Sequence, residues 1–365
     1  MKYNILVYGA GAIGRGYLPW VFSPGEYEYS YVEANPMLVK MLQQRKEFTT
    51  YQTKNNSYKA LRVFIKNCYQ VGQEKEALKN ADLIVIAVGP RNIPLLAEHL
   101  KEATAPIVLA ENDPETVEMV KSVTGSNKVF FAIPDVIASN TAPENLLKKD
   151  PLAVTTEDGV CYIDKSLSHF KSNANYVSKE ELDKQWKAKL YLHNTPHCIA
   201  AYLGAQLSVQ YVHQSMKNKK VYQIVQGAMK EMQQVLIKKF KLPTTFVNWY
   251  AQKELKRFSN ELLYDPINRV AREPFRKLAP GGRLIGAAQL CLSSGVMPEN
   301  ITKGIIAAFH YKNKNDPDAH ISLLVHSLTP GDFLSIILGL KEGSALYELL
   351  LEQKLSYNSL LKKIS

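Results

Sequence analysis

The sequence predicts an α/β protein in two domains: a mostly parallel sheet with crossover helices over residues 1–185, then an all-helical domain over residues 186–365. Three observations predict it. A chain of 365 residues exceeds what one hydrophobic core usually supports. The first half alternates short β-branched runs with helical patterns, as a parallel sheet with crossovers does. From about Trp186 onward the pattern changes to long amphipathic helical stretches with little that reads as strand.

The first predicted strand, Tyr3–Tyr8, runs directly into Gly9-Ala10-Gly11-Ala12-Ile13-Gly14, followed by Arg15, Gly16 and a helix-compatible run. Each glycine has a geometric reason: a tight turn at Gly9, close approach of backbone to a pyrophosphate at Gly11, and close packing of helix on strand at Gly14. Backbone N–H groups at the start of that helix, including those of Ala12 and Ile13, are then available to phosphate oxygens. A glycine-rich turn in isolation is common; its place between the first strand and the first helix marks a Rossmann-type dinucleotide-binding domain. The second strand, Tyr29–Val32, leads to Glu33, 19 residues past Gly14, where a carboxylate accepts from ribose hydroxyls and repels a 2′-phosphate. That favours NAD over NADP; outside such a unit, Glu33 would read as an ordinary surface glutamate. Leu83–Val88 is the next strand of the parallel set, and Val88 and Gly89 lie at its carboxyl end, where a cofactor is met, although Gly89 also fits a plain turn. Ile107–Ala110 and Val129–Ala132 continue the sheet, and short β-rich runs within Asp150–Lys165 can extend it. Thr195–Val212 and Tyr222–Lys239 are the clearest helical patterns of the second half.

Composition bounds the function. Hydrophobic residues make up 46% and charged residues 22%, as in an ordinary globular enzyme. The formal charge of +11 raises a nucleic-acid reading, but the basic residues are dispersed, and the densest groups, Lys217–Lys220 and Lys238–Lys241, sit in helical sequence as solvated faces. No nucleic-acid partner is expected; steering of anionic small molecules is. No apolar run approaches the roughly 20 residues of a membrane span, and the N-terminus opens on a strand, so a soluble, unprocessed protein is expected; a monomer is expected as well. Cys68, Cys161, Cys198 and Cys291 are scattered with no CxxC pair, which reads as free thiols in the cytoplasm.

The chemistry concentrates in Lys189-Leu-Tyr-Leu-His193-Asn194-Thr-Pro196-His197. Oxidising a secondary alcohol requires a base for the hydroxyl proton and neutral donors for the oxygen as charge develops; a buried amine and an amide supply these. On one uninterrupted α-helix Lys189 and Asn194, five apart, point away from each other, so a break is expected, with Pro196 as its reason. His193 and His197, four apart, also allow a metal-pair reading, against which stand the missing intervening glutamate and Pro196. A purely structural reading has Lys189 on a solvated face and His197 in the core.

Lys189-x4-Asn194-x2-His197 resembles the signature of the polyol-specific long-chain dehydrogenases, the mannitol dehydrogenase family. The resemblance continues through Ala201-Tyr202-Leu203-Gly204, Arg257-Phe258, Asn268-Arg269-Val270, Pro274-x-Arg276-Lys277-Leu278, Gly282-Arg283-Leu284-Ile285 and Ala307-Ala308-Phe309-His310. With the glycine turn it spans nearly the whole chain. It implies a 6-phosphogluconate-dehydrogenase-like fold, with the active site in the cleft between a Rossmann domain and an all-α substrate domain. It implies NAD as cofactor, no metal, Lys189 as general acid/base, Asn194 and Asn112 holding the reacting oxygen, and His197 orienting substrate hydroxyls. Asp135, in Ile133-Pro-Asp-Val-Ile137, falls in a substrate-binding segment whose usual arginine is Val136 here; Pro196 stands where the family has glycine. The implied substrate is a sugar-alcohol phosphate interconverted with a ketose phosphate, such as mannitol 1-phosphate with fructose 6-phosphate. Arg276, Lys277, Arg283 and His310 are the expected phosphate and substrate contacts. The same chemistry on a free polyol or a hexuronate is the nearest alternative, and a non-catalytic NAD-binding redox sensor is the alternative of another class.

Overall fold

The computed structural model describes residues 2–54 and 57–354 and divides into two compact units. One comprises Met1–Gln185 with Leu262–Tyr264, the other Trp186–Glu261 with Asp265–Ser365. Among the described residues no helix is long and apolar enough to cross a membrane, and none of the four cysteines forms a disulfide.

The first unit is built on one sheet. Its centre is β1 (Tyr3–Tyr8), flanked in parallel by β2 (Tyr27–Glu33) and β5 (Leu83–Ile86). Beyond β5 lie β6 (Ile107–Leu109) and β7 (Val129–Asp135), again parallel, and beyond β2 lies β4 (Ser57–Gln70). This is the doubly wound arrangement predicted from the alternating pattern. The central strands are apolar throughout because both sheet faces are covered: Ile5, Val7, Leu83 and Val85 enter one core, Leu6, Tyr8, Ile84 and Ile86 the other.

The sheet extends further than the sequence indicated. β3 (Glu47–Lys54) pairs antiparallel with β4, and β9 (Val154–Glu157) adds in parallel to β3, with β8 (Ala138–Ser139) at the edge. At the other end β10 (Val160–Asp164) runs antiparallel to β7 and carries β11 (Asn175–Val177). The β-rich runs of Asp150–Lys165 thus do extend the sheet, at both ends of it.

In the second unit the segment Thr195–Gln206 is the central helix, and every residue from Thr195 to Gly204 is buried. Small residues let neighbours approach closely. A Cβ on Gly204 would lie 2.8 Å from Ile267 and Ser215, and one on Gly304, in helix Glu299–Phe309, would lie 2.4 Å from Ile199. The expected helix Thr195–Val212 ends early because Ser208 adopts φ +55°; a second helix begins at Val212. Lys219–Lys238 forms the long helix predicted over Tyr222–Lys239, and its start is set by Asn218, whose side chain accepts from Lys220 N and Val221 N. Glu231 on that helix, buried, accepts from Asn300 N at 2.8 Å and Ile301 N at 3.1 Å and so caps Glu299–Phe309.

Candidate active site

In the first unit, β1 ends at Tyr8 and Gly9 turns the chain at φ +91°. A Cβ there would lie 2.4 Å from the Ala87 carbonyl oxygen, and one on Gly14 would lie 1.9 Å from the Gly9 carbonyl oxygen. Both glycines are therefore required by the fold. Gly11 differs: a Cβ built on it meets nothing within 4 Å, so the space beside it is open for something other than protein. The helix that follows opens as a π turn over Ala12–Tyr17, with Ala12 and Ile13 partly exposed at its first turn. Glu33, at the end of β2, accepts from Ala10 N at 2.9 Å and from Asn35 N at 2.8 Å, one bond on each carboxylate oxygen. Gly9, Gly11, Glu33, Val88, Asn92 and Leu95 are among the residues lining a cleft of about 330 Å³ at this turn. Gly89 adopts φ +91° and donates its N–H to Glu111 Oε1 at 2.8 Å. Asn112 follows β6 and is exposed, and Asp135 is the buried last residue of β7. All these positions sit at the carboxyl ends of parallel strands, where open α/β sheets bind their ligands. The open face of Gly11, the first-turn N–H groups and the fixed carboxylate at the end of β2 fit a dinucleotide.

In the second unit the expected break at Pro196 is absent. Helix Lys179–Ala188 continues into a π turn over Lys189–Asn194 and then into Thr195–Gln206. At 3.6 residues per turn, residues five apart lie about 140° apart around the axis. A π turn closes on i→i+5 bonds, so residues five apart lie one turn apart on the same face. Lys189 and Asn194 converge because the helix widens; Pro196, with no N–H to contribute, sits where the α register resumes. Lys189 and Asn194 are both buried, and Asn194 Nδ2 has no hydrogen-bond partner among the described residues.

His197 is held by a residue the sequence reading missed. Its Nε2 lies 2.8 Å from Asp265 Oδ2, while Arg269 Nε donates to Asp265 Oδ1 at 3.0 Å. Burial pushes the Asp265 carboxyl up, but Arg269 and His197 outweigh that and hold it down to about 2. A second array has the same composition: His193 Nδ1 lies 2.5 Å from Glu254 Oε2, and Arg257 Nη1 lies 2.5 Å from Glu254 Oε1. The ring of Phe258 stacks on His197 at 5.0 Å and lies 5.4 Å from His193. One nitrogen of each histidine is thus engaged by a carboxylate, which is what the metal-pair reading of the i, i+4 spacing did not anticipate. The only local sequence signals were Asp265 four residues before Arg269 and Glu254 three before Arg257, both spacings that meet on a helix face.

Of the expected phosphate contacts, Arg276, Lys277 and Arg283 form one basic cluster. Arg276, partly buried, donates to Glu273 Oε2 at 2.6 Å. Burial and the neighbouring Arg276 push the Arg283 guanidinium down to about 10. Lys277 is not the open phosphate donor expected: it is buried, its ammonium donates to the Arg272 carbonyl, and it lies 5.7 Å over the Tyr202 ring. Burial, then Arg283, lowers its affinity for a proton as well. Cations pushed down by cationic neighbours are what an anion would relieve. His310 is buried beyond Glu299–Phe309, its ring 5.2 Å from His326.

A Rossmann-type unit with a dinucleotide-shaped turn, and a helical unit that sets a buried lysine and a buried asparagine on one face of a π turn, point to an oxidoreductase. Family models for the mannitol dehydrogenase Rossmann domain and the mannitol dehydrogenase C-terminal domain match residues 3–118 and 181–324. A mannitol-1-phosphate 5-dehydrogenase of Clostridium acetobutylicum is 30% identical over 341 residues, covering 86% of this chain and 88% of that one. One from Exiguobacterium sp. is 29% identical over 373 residues, covering 95% of each. The structure of Pseudomonas fluorescens mannitol 2-dehydrogenase, a ternary complex with NAD and D-mannitol, superposes with a TM-score of 0.77 at 13% identity over 99% of this chain and 94% of that one. The chain belongs to the mannitol dehydrogenase family, oxidoreductases acting on CH–OH donors.

Proposed function

We propose that this chain is an NAD-dependent dehydrogenase that interconverts a sugar-alcohol phosphate and a ketose phosphate, with mannitol 1-phosphate and fructose 6-phosphate as the pair. The observation that carries the chemistry is the π turn: it sets Lys189 and Asn194 on one face, with Asn194 Nδ2 buried and awaiting an acceptor. In the oxidation direction Lys189 takes the hydroxyl proton as general base. Asn194 Nδ2 donates to the substrate oxygen as that oxygen gains negative charge. Asp265, ionised and fixed by Arg269, engages His197 Nε2, so His197 Nδ1 is the atom left to meet a substrate hydroxyl. Bound NAD supplies the acceptor for the hydride leaving the carbinol carbon. Gly11, Ala12 and Ile13 would hold its pyrophosphate, and each oxygen of Glu33, with one bond already made, would keep a lone pair for the ribose hydroxyls. Asn112 and Asp135 keep the substrate roles implied by resemblance, and the mechanism calls on no metal. The phosphate assignment rests on the mutually repelling Arg276 and Arg283, and it agrees with the names of the relatives in Clostridium and Exiguobacterium.

Lys189→Ala tests the reading. It should lower kcat by about 10²–10⁴, the contribution of a positioned acid/base, with NADH affinity nearly unchanged. The wild-type pH profile of oxidation should rise on one ionisation that the variant lacks. Retention of more than about a tenth of kcat would exclude Lys189 as the base. Initial rates with NADH against ketose phosphates, free ketoses and keto-uronates separate the proposed substrate from its unphosphorylated alternatives.

A further inference from the structure

The glycine turn is held in a way its motif does not announce. Ala10, between Gly9 and Gly11, is fully buried, and its backbone is gripped on both sides. Its N–H donates to Glu33 Oε2 at 2.9 Å, and its carbonyl accepts from Arg15 Nε at 2.5 Å. A second arm of the same guanidinium, Nη1, donates to the Leu152 carbonyl at 2.5 Å, just before β9, and the Phe48 ring of β3 lies 5.7 Å from the guanidinium carbon. Arg15 is only 4% exposed. Burial works against its charge, and Tyr31, Glu33 and Asp150 offset part of that penalty. A buried guanidinium is an expensive way to fill volume, which an aliphatic side chain would do more cheaply. What only the guanidinium provides is two fixed donors, one of them on the turn itself.

The peptide it holds is informative. A trans peptide is planar, with its C=O and N–H on opposite sides. Fixing the Ala10 carbonyl on Arg15 therefore turns the N–H of Gly11 the other way, and Gly11 is the residue whose Cβ position is open. Glu33 fixes the preceding peptide in the same manner. We infer that Arg15 is a positioning residue for the dinucleotide: through the Ala10–Gly11 peptide it aims the Gly11 N–H at the pyrophosphate, in opposition to Glu33 on the Gly9–Ala10 peptide. The carboxylate assigned to the ribose and the turn assigned to the pyrophosphate are thereby one mechanical unit. The inference rests on the NAD reading of this turn.

The test is NADH binding, followed by fluorescence titration, in wild type, Arg15→Met, Arg15→Lys, Glu33→Gln and the Arg15→Lys/Glu33→Gln double variant, with Tm measured for each. Failure of the wild type to bind NADH would defeat the NAD reading itself, whatever Arg15 does. With wild-type binding in place, Arg15→Met should raise Kd tenfold or more. Arg15→Lys, whose single ammonium can hold one carbonyl but not both, should raise it less. Because Arg15 and Glu33 act on adjoining peptides, the double variant should lose less affinity than the product of the single losses. A merely structural Arg15 would lower Tm and leave Kd within twofold of wild type, and that result overturns the inference, as does a fully multiplicative double variant. If Arg15→Met does not fold, Arg15→Lys decides by the same criteria.

Discussion

Asp265→Asn keeps the shape of the side chain that joins His197 to Arg269 and removes its charge. The Asp265 carboxyl titrates near 2 instead of 3.8. At about 1.4 kcal/mol for each pH unit, the ionised form contributes roughly 2.5 kcal/mol to folding. The folded value lies below the unfolded one, so the contribution is complete above about pH 4 and is lost as pH falls through about 2. At neutral pH the variant should therefore be less stable by about 2 kcal/mol, since the amide oxygen can accept from His197 or Arg269 at full strength but not from both. In a unit of this size that corresponds to a fall in Tm of roughly 4–8 °C. Below pH 4 the two proteins should converge, because the wild type loses there what the variant never had. Turnover should fall as well, by about tenfold, as the His197 tautomer is no longer imposed. Thermal unfolding followed by circular dichroism from pH 7 to pH 2.5, with kcat at neutral pH, measures all three. Equal Tm for both proteins at pH 7, or a gap that widens on acidification, would refute the account of the array.

The glycines of the turn should separate cleanly. Gly11→Ala meets no protein atom and should fold with Tm nearly unchanged, yet raise the NADH Kd by tenfold or more, whereas Gly14→Ala collides with the Gly9 carbonyl and should be destabilised outright, as thermal unfolding and NADH titration would show. Arg276→Ala should raise KM for a phosphorylated ketose by about tenfold or more, roughly 1.5–3 kcal/mol for a charge-assisted bond, and leave an unphosphorylated analogue unaffected; equal losses for both would make Arg276 structural. Comparison of kcat/KM for NAD and NADP should favour NAD, and equal use of the two would remove Glu33 from the ribose.

The turn was legible because its demands are local. Gly9 and Gly14 are dictated by atoms of the adjoining strands, and Glu33 lies at a fixed distance along one βαβ unit. The central strands were legible as apolar runs. The β3–β4 pair was not, because β4 carries Lys59, Arg62 and Lys66 along with an exposed Phe64, which blurs its alternation, and because β3 completes its pairing with β9, about a hundred residues away. Lys189 and Asn194 stood out by residue type, but not the way they come onto one face: proline suggested a break, and the helix instead widened. Asp265 and Glu254 escaped because they reach His197 and His193 across 68 and 61 residues, and helix packing, not periodicity, sets such pairs. The buried state of Lys277 was likewise invisible in a short basic run.

The widened turn at Lys189–Asn194 holds one residue more than an α-helix of the same length would. A single-residue deletion within Leu190–His193 would therefore be absorbed without breaking the helix, which could revert to regular i→i+4 bonding and become the better helix for it. The same deletion would leave the amine and the amide four apart on a regular helix, about 40° around the axis from each other, so they would keep a common face and lose only the wider spacing of the π turn. A shorter sequence that folds more comfortably is thus available here, and what the extra residue sets is the spacing of the two groups, not their side of the helix.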